Sequence, residues 1–473
     1  MSLKKNIGYN SLLTLSNYII PIIVFPYVSR ILGVKNFGVF SFIDSILNYY
    51  VLFSMLGITT LGIREISKSK FNFQERNNVF SNLFVLNLIS TTIVLVLFFA
   101  SIFFIPKFFL YRNLLYIGSA KILFNLFLIE WFYIGINNFK YITIRTIIIR
   151  VLFIISIFLF VNDQNDYDIY LVLTVLTVVL NASLNWLFSK KLVIFKFTKF
   201  NLKPYVKPFF QLGAYSLLTS MYTSFNLIYL GFIAGQTEVG YFATAIKIQS
   251  ILLSLFGAFS NVMMPHISTL ISEDKIGEVK KLISKSFEAL YAFSIPLIFI
   301  CIMLAPQIIE IVSGEDYEGS VLPMKIVMPL ILIIGLEQVL IIQILIPLQK
   351  DREILINSIL GASVGVLLNI LLVSFFKSVG SSIVWLLSEI AVLLSAMFFV
   401  YKSIKINIMF SQLLKNIIFG LPYLLFCWMS LMYFKSNLLI ISVAGLLSLI
   451  YFVISQIWLI KNSALILFIN RIR

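Results

Sequence analysis

Charged side chains lie inside long apolar stretches of this sequence, where an isolated charge is unfavourable. A charge at the centre of a bilayer costs at least about 2.5 kcal/mol on insertion scales, so such residues rarely face lipid. Basic side chains can bind phosphate groups through charge-assisted hydrogen bonds, and carboxylates can bind cations. The set is Asp44, Lys121, Glu130, Arg150, Lys247, Lys325, Glu337 and Glu389, with Arg145 near the end of one stretch.

The simpler alternative for each of these residues is an ion pair that holds two helices together. This alternative applies best to Glu130, Arg145 and Glu389, which have a basic neighbour or lie near the end of a stretch. It applies least to Asp44, Arg150 and Lys247. We therefore expect the basic residues Lys121, Arg150 and Lys247, and the carboxylates Asp44 and Glu337, to line a polar cavity. Lys325 belongs to the same set, although a small shift of the span boundaries would move it out of the membrane.

Small polar residues also recur at helical spacing along the first, second, seventh and eighth apolar stretches. On the second stretch Asp44 is followed by Asn48, and on the seventh Tyr222 is followed by Asn226. A single polar residue in a membrane helix most often joins neighbouring helices by a hydrogen bond. Because the pattern is repeated on four stretches, we expect Asn48 and Asn226 to be cavity-lining as well.

The sequence contains no enzymatic signature. A G-x-x-x-x-G-K-[ST] segment for binding ATP phosphates is absent. The single histidine, His266, follows Pro265 at the end of a stretch, and no long loop offers an acid and a base together. Cys301 and Cys427 lie within apolar stretches, which argues against a disulfide framework or a zinc site. We predict no catalytic residue, no metal and no cofactor.

The elements that position these side chains must be membrane-spanning helices. The chain has 473 residues, of which 60% are hydrophobic and 12% charged, and its mean hydropathy is +1.01. An apolar helix needs about 20 residues to cross the hydrocarbon core, and such runs recur with short polar breaks. The pattern predicts an all-α polytopic membrane protein with about fourteen spans.

The distribution of basic residues predicts the orientation of these spans. Of the 36 Lys and Arg residues, about 26 lie on the side of the N-terminus, about 6 on the opposite side and about 4 within spans. Both termini are therefore expected in the cytoplasm. The net charge of +16 reflects this topology and attraction to anionic membrane lipids, and we expect no nucleic-acid partner.

A weak internal repeat divides the chain. Gly33 and Gly38 recur as Gly235 and Gly240, 202 residues further on, each pair followed by an aromatic residue after one intervening position. About six spans separate the copies, so both halves should enter the membrane in the same orientation. We predict two six-helix lobes around a central cavity, residues 1–200 and 201–408, and two additional helices in residues 409–473. Parallel halves are typical of alternating-access transporters.

Two segments carry a family resemblance. The run from Pro26 to Gly33, followed by Phe37 and Gly38, is similar to the first loop of the polysaccharide transporter family, as is the run Glu130–Gly135 leading into Arg145. The chain thus resembles O-antigen-unit flippases of the multidrug, oligosaccharidyl-lipid and polysaccharide exporter superfamily. The resemblance implies an undecaprenyl-pyrophosphate-linked oligosaccharide as substrate, a bacterial inner-membrane location and contact with other polysaccharide-assembly proteins. Arg30, Glu130 and Arg145 are the matched site residues.

Two further function classes remain open from the residues alone. A cation-coupled multidrug exporter of the same superfamily would need a carboxylate-rich cavity, and a membrane polymerase or acyltransferase would need a histidine or carboxylate pair in a pocket. Four intramembrane carboxylates stand against four basic residues, Lys121, Arg150, Lys247 and Lys325, so the count does not decide. The repeat also suggests that Asp44 and Lys247 pair across the cavity. Without an ATP site, the membrane potential is a candidate driving force.

Overall fold

The computed structural model describes residues 3–195, 200–406, 408–460 and 462. Within these residues the chain consists of helices and connecting turns, without a β-strand. It forms two compact units, one of residues 1–220 and 227–239 and the other of residues 221–226 and 240–473. The predicted boundaries at residues 200 and 408 stay a prediction.

The first unit contains most of the residues expected to bind phosphate. Residues 221–226, where its last two helices meet, belong to the second unit. Its helices are α1 Leu3–Met55, α2 Ile58–Lys68, α3 Phe73–Phe104, α4 Pro106–Leu110, α5 Arg112–Leu128, α6 Glu130–Gly135, α7 Phe139–Phe160, α8 Tyr167–Ser189, α9 Lys203–Thr223 and α10 Phe225–Ile233.

The second unit is also helical, with two stretches of π-helix, Gln338–Leu345 and Ser455–Leu459, and a 3-10 turn, Glu315–Ser320. Its α-helices are α11 Gln236–Ser272, α12 Ile276–Met303, α13 Ala305–Ser313, α14 Val321–Val327, α15 Leu330–Glu337, α16 Asp351–Ile404, α17 Phe410–Ile418, α18 Leu421–Tyr433 and α19 Asn437–Ile454.

The helices are long and apolar enough to cross a membrane many times. In the described part of the chain nine helices satisfy this test, or up to eleven when each of two bent pairs is counted as one span. The all-α polytopic fold class is therefore confirmed, whereas the number fourteen stays a prediction. The orientation also stays a prediction, and the terminal residues 1, 2 and 463–473 lie outside the described residues.

Two helices are too long to be single spans. A continuous helix of 53 or 54 residues, as in α1 and α16, would be about 80 Å long, far beyond the roughly 30 Å of a hydrocarbon core. Each is interrupted by one non-helical residue, Gly33 with φ 68° and ψ 168° and Lys377 with φ 49° and ψ −123°. Each of these elements therefore consists of two helices joined at a sharp break.

The two glycines that open the predicted repeat share an unusual backbone conformation. Gly33 has a φ of 68° and Gly235 a φ of 92°, and a Cβ atom added to either would meet no atom within 4 Å. Glycine is required there by the backbone torsion, because L-residues rarely adopt positive φ, and not by lack of space. The shared torsion supports the interpretation of these segments as copies of one turn.

The core of the first unit surrounds the short helix α6. Trp131 and Phe132 are buried there, and Phe80 packs on the Trp131 ring at a centroid distance of 5.5 Å. A Cβ atom at Gly62 would lie 2.5 Å from the same ring, so α2 approaches α6 more closely than any side chain would allow. This packing fixes the segment that begins with Glu130.

Candidate functional site

A helix break in the first unit creates its most connected polar cluster. Ile129 has a left-handed φ of 36° and separates α5 from α6. A break of this kind leaves carbonyl groups at the end of α5 without helical partners. The side-chain amide of Asn185 on α8 donates a hydrogen bond to one of them, the carbonyl of Leu128. Asn185 is fully buried, and it also accepts a hydrogen bond from the guanidinium of Arg145.

Arg145 joins this break to helix α7. Its Nη2 atom donates to Glu130 Oε1 at 2.8 Å and to Thr146 Oγ1 at 2.9 Å. Only 3% of the Arg145 side chain is exposed, whereas 45% of the Glu130 side chain is exposed. The Arg145 guanidinium is therefore a buried charge, whereas the Glu130 carboxylate that neutralises it is partly exposed at the surface of the unit. The structure thus brings together Glu130 and Arg145, two of the three residues matched by the family resemblance.

Asp44 and Lys121 form a second ion pair in the same unit. Lys121 Nζ on α5 donates to Asp44 Oδ1 on α1 at 2.6 Å, and Asn48 Nδ2 donates to the other carboxylate oxygen at 2.9 Å. The two charged side chains are 12% and 25% exposed. Three predicted site residues thus lie together. The predicted pairing of Asp44 with Lys247 stays a prediction, and the partner observed for Asp44 is Lys121.

Arg150 lies on α7, five residues after Arg145. Its Nη1 atom donates to Ser16 Oγ on α1, and that hydroxyl donates in turn to the carbonyl of Leu13 at 2.7 Å. Glu130 and Arg145 are both close enough to act on Arg150 electrostatically. Arg150 is half-buried, while its neighbour Ile149 is only 3% exposed. The Arg150 guanidinium therefore has a polar, partly exposed environment, whereas the adjacent Ile149 side chain is packed in the interior.

Taken together, the interior of the first unit is basic. Lys121, Arg145 and Arg150 outnumber the carboxylates Asp44 and Glu130 within its apolar helices. Such an arrangement can stabilise a phosphate group in a region of low dielectric through charge-assisted hydrogen bonds. It offers no acid and base pair positioned for bond cleavage.

The second unit places its predicted site residues differently. Asn226 is fully buried, and its side-chain carbonyl accepts a hydrogen bond from Asn369 Nδ2 at 2.5 Å. Glu337 is 6% exposed, and its carboxyl group is hydrogen-bonded to that of Glu389, which is 3% exposed. Both residues are buried in the unit, and whether they line a cavity stays a prediction.

Three further predicted residues differ in their exposure. Arg30 and Lys247 are exposed, and Lys325 is half-buried on α14. Lys247 is exposed while its neighbour Ile248 is buried. Whether Arg150 and Lys247 line the same cavity stays a prediction.

The charge pattern missed several residues of these networks because they are neutral. Asn185 and Asn369 each interrupt a strongly apolar helix, and that isolation was the available signal. Gln343, which is fully buried in the π-helical segment, accepts from Ser286 at 2.8 Å and donates to Ser260 at 3.1 Å. In the described residues no three His, Cys, Asp or Glu side chains are grouped as a metal site would require.

The sequence also matches a known family. Residues 3–271, more than half of the chain, match the model of the family described as polysaccharide biosynthesis protein. The chain belongs to this family. The resemblance predicted from the residues around Gly33 and Glu130 is thereby confirmed. The chain is a multi-pass membrane protein, in agreement with its many apolar helices.

Two relatives of this polysaccharide biosynthesis protein carry the name "Putative O-antigen transporter". The one from Escherichia coli (strain K12) is 25% identical over 397 residues, which cover 82% of this chain and 94% of the relative. The one from Shigella dysenteriae is 26% identical over 417 residues, which cover 85% of this chain and 100% of the relative. Both alignments therefore extend over nearly the whole of the relative.

Two solved structures share its fold. The lipid II flippase MurJ in an inward closed conformation has a TM-score of 0.77 at 16% identity, over 96% of this chain and 98% of that one. An inward-facing multidrug resistance MATE family transporter of the MOP superfamily has a TM-score of 0.61 at 13% identity, over 83% and 95%. At these identities the similarity concerns the fold alone.

Proposed function

We propose that this polysaccharide biosynthesis protein is a flippase that carries a lipid-linked oligosaccharide from the cytoplasmic to the periplasmic leaflet of the bacterial inner membrane by alternating access. The family, the names of the relatives and the fold shared with a lipid II flippase all support this function. We further propose that the lipid is undecaprenyl pyrophosphate, that both termini are cytoplasmic and that other membrane proteins of polysaccharide assembly are partners.

The observation that carries the proposal is the basic interior of the first unit. A pyrophosphate must lose much of its hydration to cross a bilayer, and Lys121, Arg145 and Arg150 are cations already placed within apolar helices. Arg145 is held by Glu130 and Asn185, and Lys121 by Asp44. We assign the phosphate to Arg150, whose guanidinium is half-buried within the apolar helix α7 while its neighbour Ile149 is buried.

The carboxylates argue against a multidrug exporter. An organic cation needs a carboxylate whose charge is not already neutralised, yet Asp44 is bonded to Lys121 and Glu130 to Arg145. The remaining pair, Glu337 and Glu389, is buried and bonded to itself. The same burial removes this pair from contact with a substrate, so it does not support a polymerase or acyltransferase.

The test is transport of a fluorescent lipid-linked oligosaccharide in vesicles that contain the purified full chain. We expect Arg150→Ala to lower the initial rate by roughly tenfold or more, since a charge-assisted hydrogen bond contributes about 1.5–3 kcal/mol. Arg150→Lys should retain more activity. Ile148→Ala, on the lipid-facing side of the same helix with Ile148 55% exposed, is the matched control.

Ser16→Ala separates a phosphate role of Arg150 from a structural one, because it removes the observed hydrogen bond but keeps the charge. We expect it to transport at close to the normal rate. Equal losses in Ser16→Ala and Arg150→Ala would assign the arginine to helix packing. Export of organic cations by vesicles that fail to move the lipid would instead favour the multidrug exporter.

A further inference from the structure

A pair of carboxyl groups is buried in the second unit. Glu337 is the last residue of α15 and Glu389 lies within α16, and their carboxyl groups are hydrogen-bonded to each other. Trp385 Nε1 donates to Glu389 Oε1 at 2.9 Å. Glu337 Oε1 is buried and has no hydrogen-bond partner among the described residues. Glu389 therefore has an additional hydrogen-bond donor in Trp385, whereas Glu337 Oε1 has no partner among the described residues.

A hydrogen bond between two carboxyl groups requires a proton on one of them, because an ionised carboxylate can only accept. Two negative charges at this separation in a low-dielectric interior would repel each other strongly, so both cannot be ionised while they remain in contact. The observed geometry therefore requires that the pair hold at least one proton.

Within the described residues, the charged groups of α12, α14 and α16 provide no counter-charge for this pair. On α12, which packs against α15, Tyr291 is buried, and the charged residues lie between 278 and 288, in the first half of the helix. On α14, which packs against α16, Lys325 is half-buried. The other charged residues of α16 lie near its two ends and at Lys377, and the π-helical segment Gln338–Leu345 has none. Within the described residues, none of these groups forms an ion pair with Glu337 or Glu389.

Glu337 also lies at an irregular point of the backbone. The π-helical segment begins at the next residue, and the span that contains α14 and α15 is bent by 43° between Val327 and Leu330. π-Helical segments are rare and occur frequently at functional sites. The backbone that carries Glu337 is therefore the part of the pair that can move when the charge changes.

We propose that Glu337 and Glu389 form a proton-binding site that exchanges one proton with water during each transport cycle. This inference rests on the proposed function, because it assigns the site to the energy supply of the flippase. Release transfers the proton to water and leaves two carboxylates, whose repulsion separates Glu337 from Glu389 along the bent span. Uptake restores the shared proton and the hydrogen bond.

Infrared spectroscopy of the purified full chain in lipid nanodiscs tests the site without any substrate. We expect a carboxylic acid C=O band in the wild-type protein that disappears reversibly as the pH is raised. The double variant Glu337→Gln with Glu389→Gln should lose this band, each single variant should shift its frequency and its titration, and the exposed control Glu315→Gln should change neither. A band that is absent, or that stays constant from pH 5 to 9, would overturn the proposal. The band would also be absent if a sodium ion were bound between two carboxylates, and that result would likewise overturn the proposal.

A second measurement tests the link to transport. Vesicles containing the wild-type chain should move the labelled lipid several-fold faster under an imposed proton gradient, and this acceleration should be absent in both Gln variants. A titrating band without any acceleration would overturn the coupling. If the wild-type chain moves no lipid at all but the band titrates, the proposed function fails while the proton-binding site stands.

Discussion

Arg145 donates a 2.8 Å hydrogen bond to Glu130, the first residue after the helix break at Ile129. The two side chains differ in environment, since Arg145 is 3% exposed and Glu130 is 45% exposed. Loss of Glu130 therefore leaves a buried guanidinium without its counter-charge, whereas loss of Arg145 leaves a carboxylate that water can reach.

From this asymmetry we expect Glu130→Leu to lower the thermal stability of the detergent-solubilised protein clearly, by about 3 kcal/mol or more, as for other broken buried ion pairs. The double variant Glu130→Leu with Arg145→Leu should recover part of the loss, because no isolated charge remains. The check is a double-mutant cycle on unfolding free energies. If the losses of unfolding free energy in the two single variants sum to the loss in the double variant, the two residues do not interact.

The Asp44–Lys121 pair makes a separate prediction for transport. Asp44→Lys and Lys121→Asp should each reduce the initial rate in vesicles, because each places two like charges next to one another. Combining them restores opposite charges and should recover part of the rate. The comparison is the corresponding exchange of Asp44 with Lys247, and better recovery in that variant would favour the pairing suggested by the repeat.

Lys107 is expected to stabilise the first unit from its position on α4. Its ammonium group donates to the carbonyls of Gly231 and Phe232 at the end of α10 and lies 5.7 Å from the centre of the Phe42 ring. A cation at a helix C-terminus stabilises the last carbonyls. Lys107→Ala should lower the melting temperature by a few degrees, with Lys107→Arg affected less and the exposed Lys435→Ala unchanged. An unchanged melting temperature in Lys107→Ala would contradict this role.

The membrane potential should also affect transport. Moving one net negative charge outward gains about 2.3 kcal/mol for each 100 mV of inside-negative potential. In vesicles held at equal pH on both sides, we expect collapse of a potassium diffusion potential to lower the transport rate of the labelled lipid. A rate that is independent of the potential would exclude net movement of negative charge in the rate-limiting step.

Much of this architecture could be predicted from the sequence because lipid imposes a strong hydropathy pattern on each span. The pairing of the charges could not. The sequence contains four intramembrane carboxylates and four basic residues, and this equal count does not show which of them pair. In the structure Asp44 and Glu130 form ion pairs with basic residues, whereas Glu337 and Glu389 are hydrogen-bonded to each other. Which helices are neighbours depends on packing between residues far apart in the chain, and no local pattern reports it.

The irregular backbone was only partly predictable. Glycine at Gly33 and Gly235 indicated turns, but the break at Ile129 has no glycine or proline signal, and β-branched isoleucine is unusual at a φ of 36°. Its conformation is stabilised by tertiary contacts, among them the bond from Asn185 to the freed carbonyl of Leu128. The sequence around Glu130 thus indicated the candidate site residues, but it did not indicate the helix break or the tertiary contacts that position them.

The positive φ angles of Gly33 and Gly235 bear on how the two copies have diverged. Most positions of a duplicated gene are free to drift once each copy packs against different neighbours, and side chains along the two segments have done so. Glycine adopts a positive φ more readily than any other residue, so drift is restricted at these two positions even where space is open. The predicted repeat therefore makes Gly33 and Gly235 the positions at which an alignment of the two halves should begin.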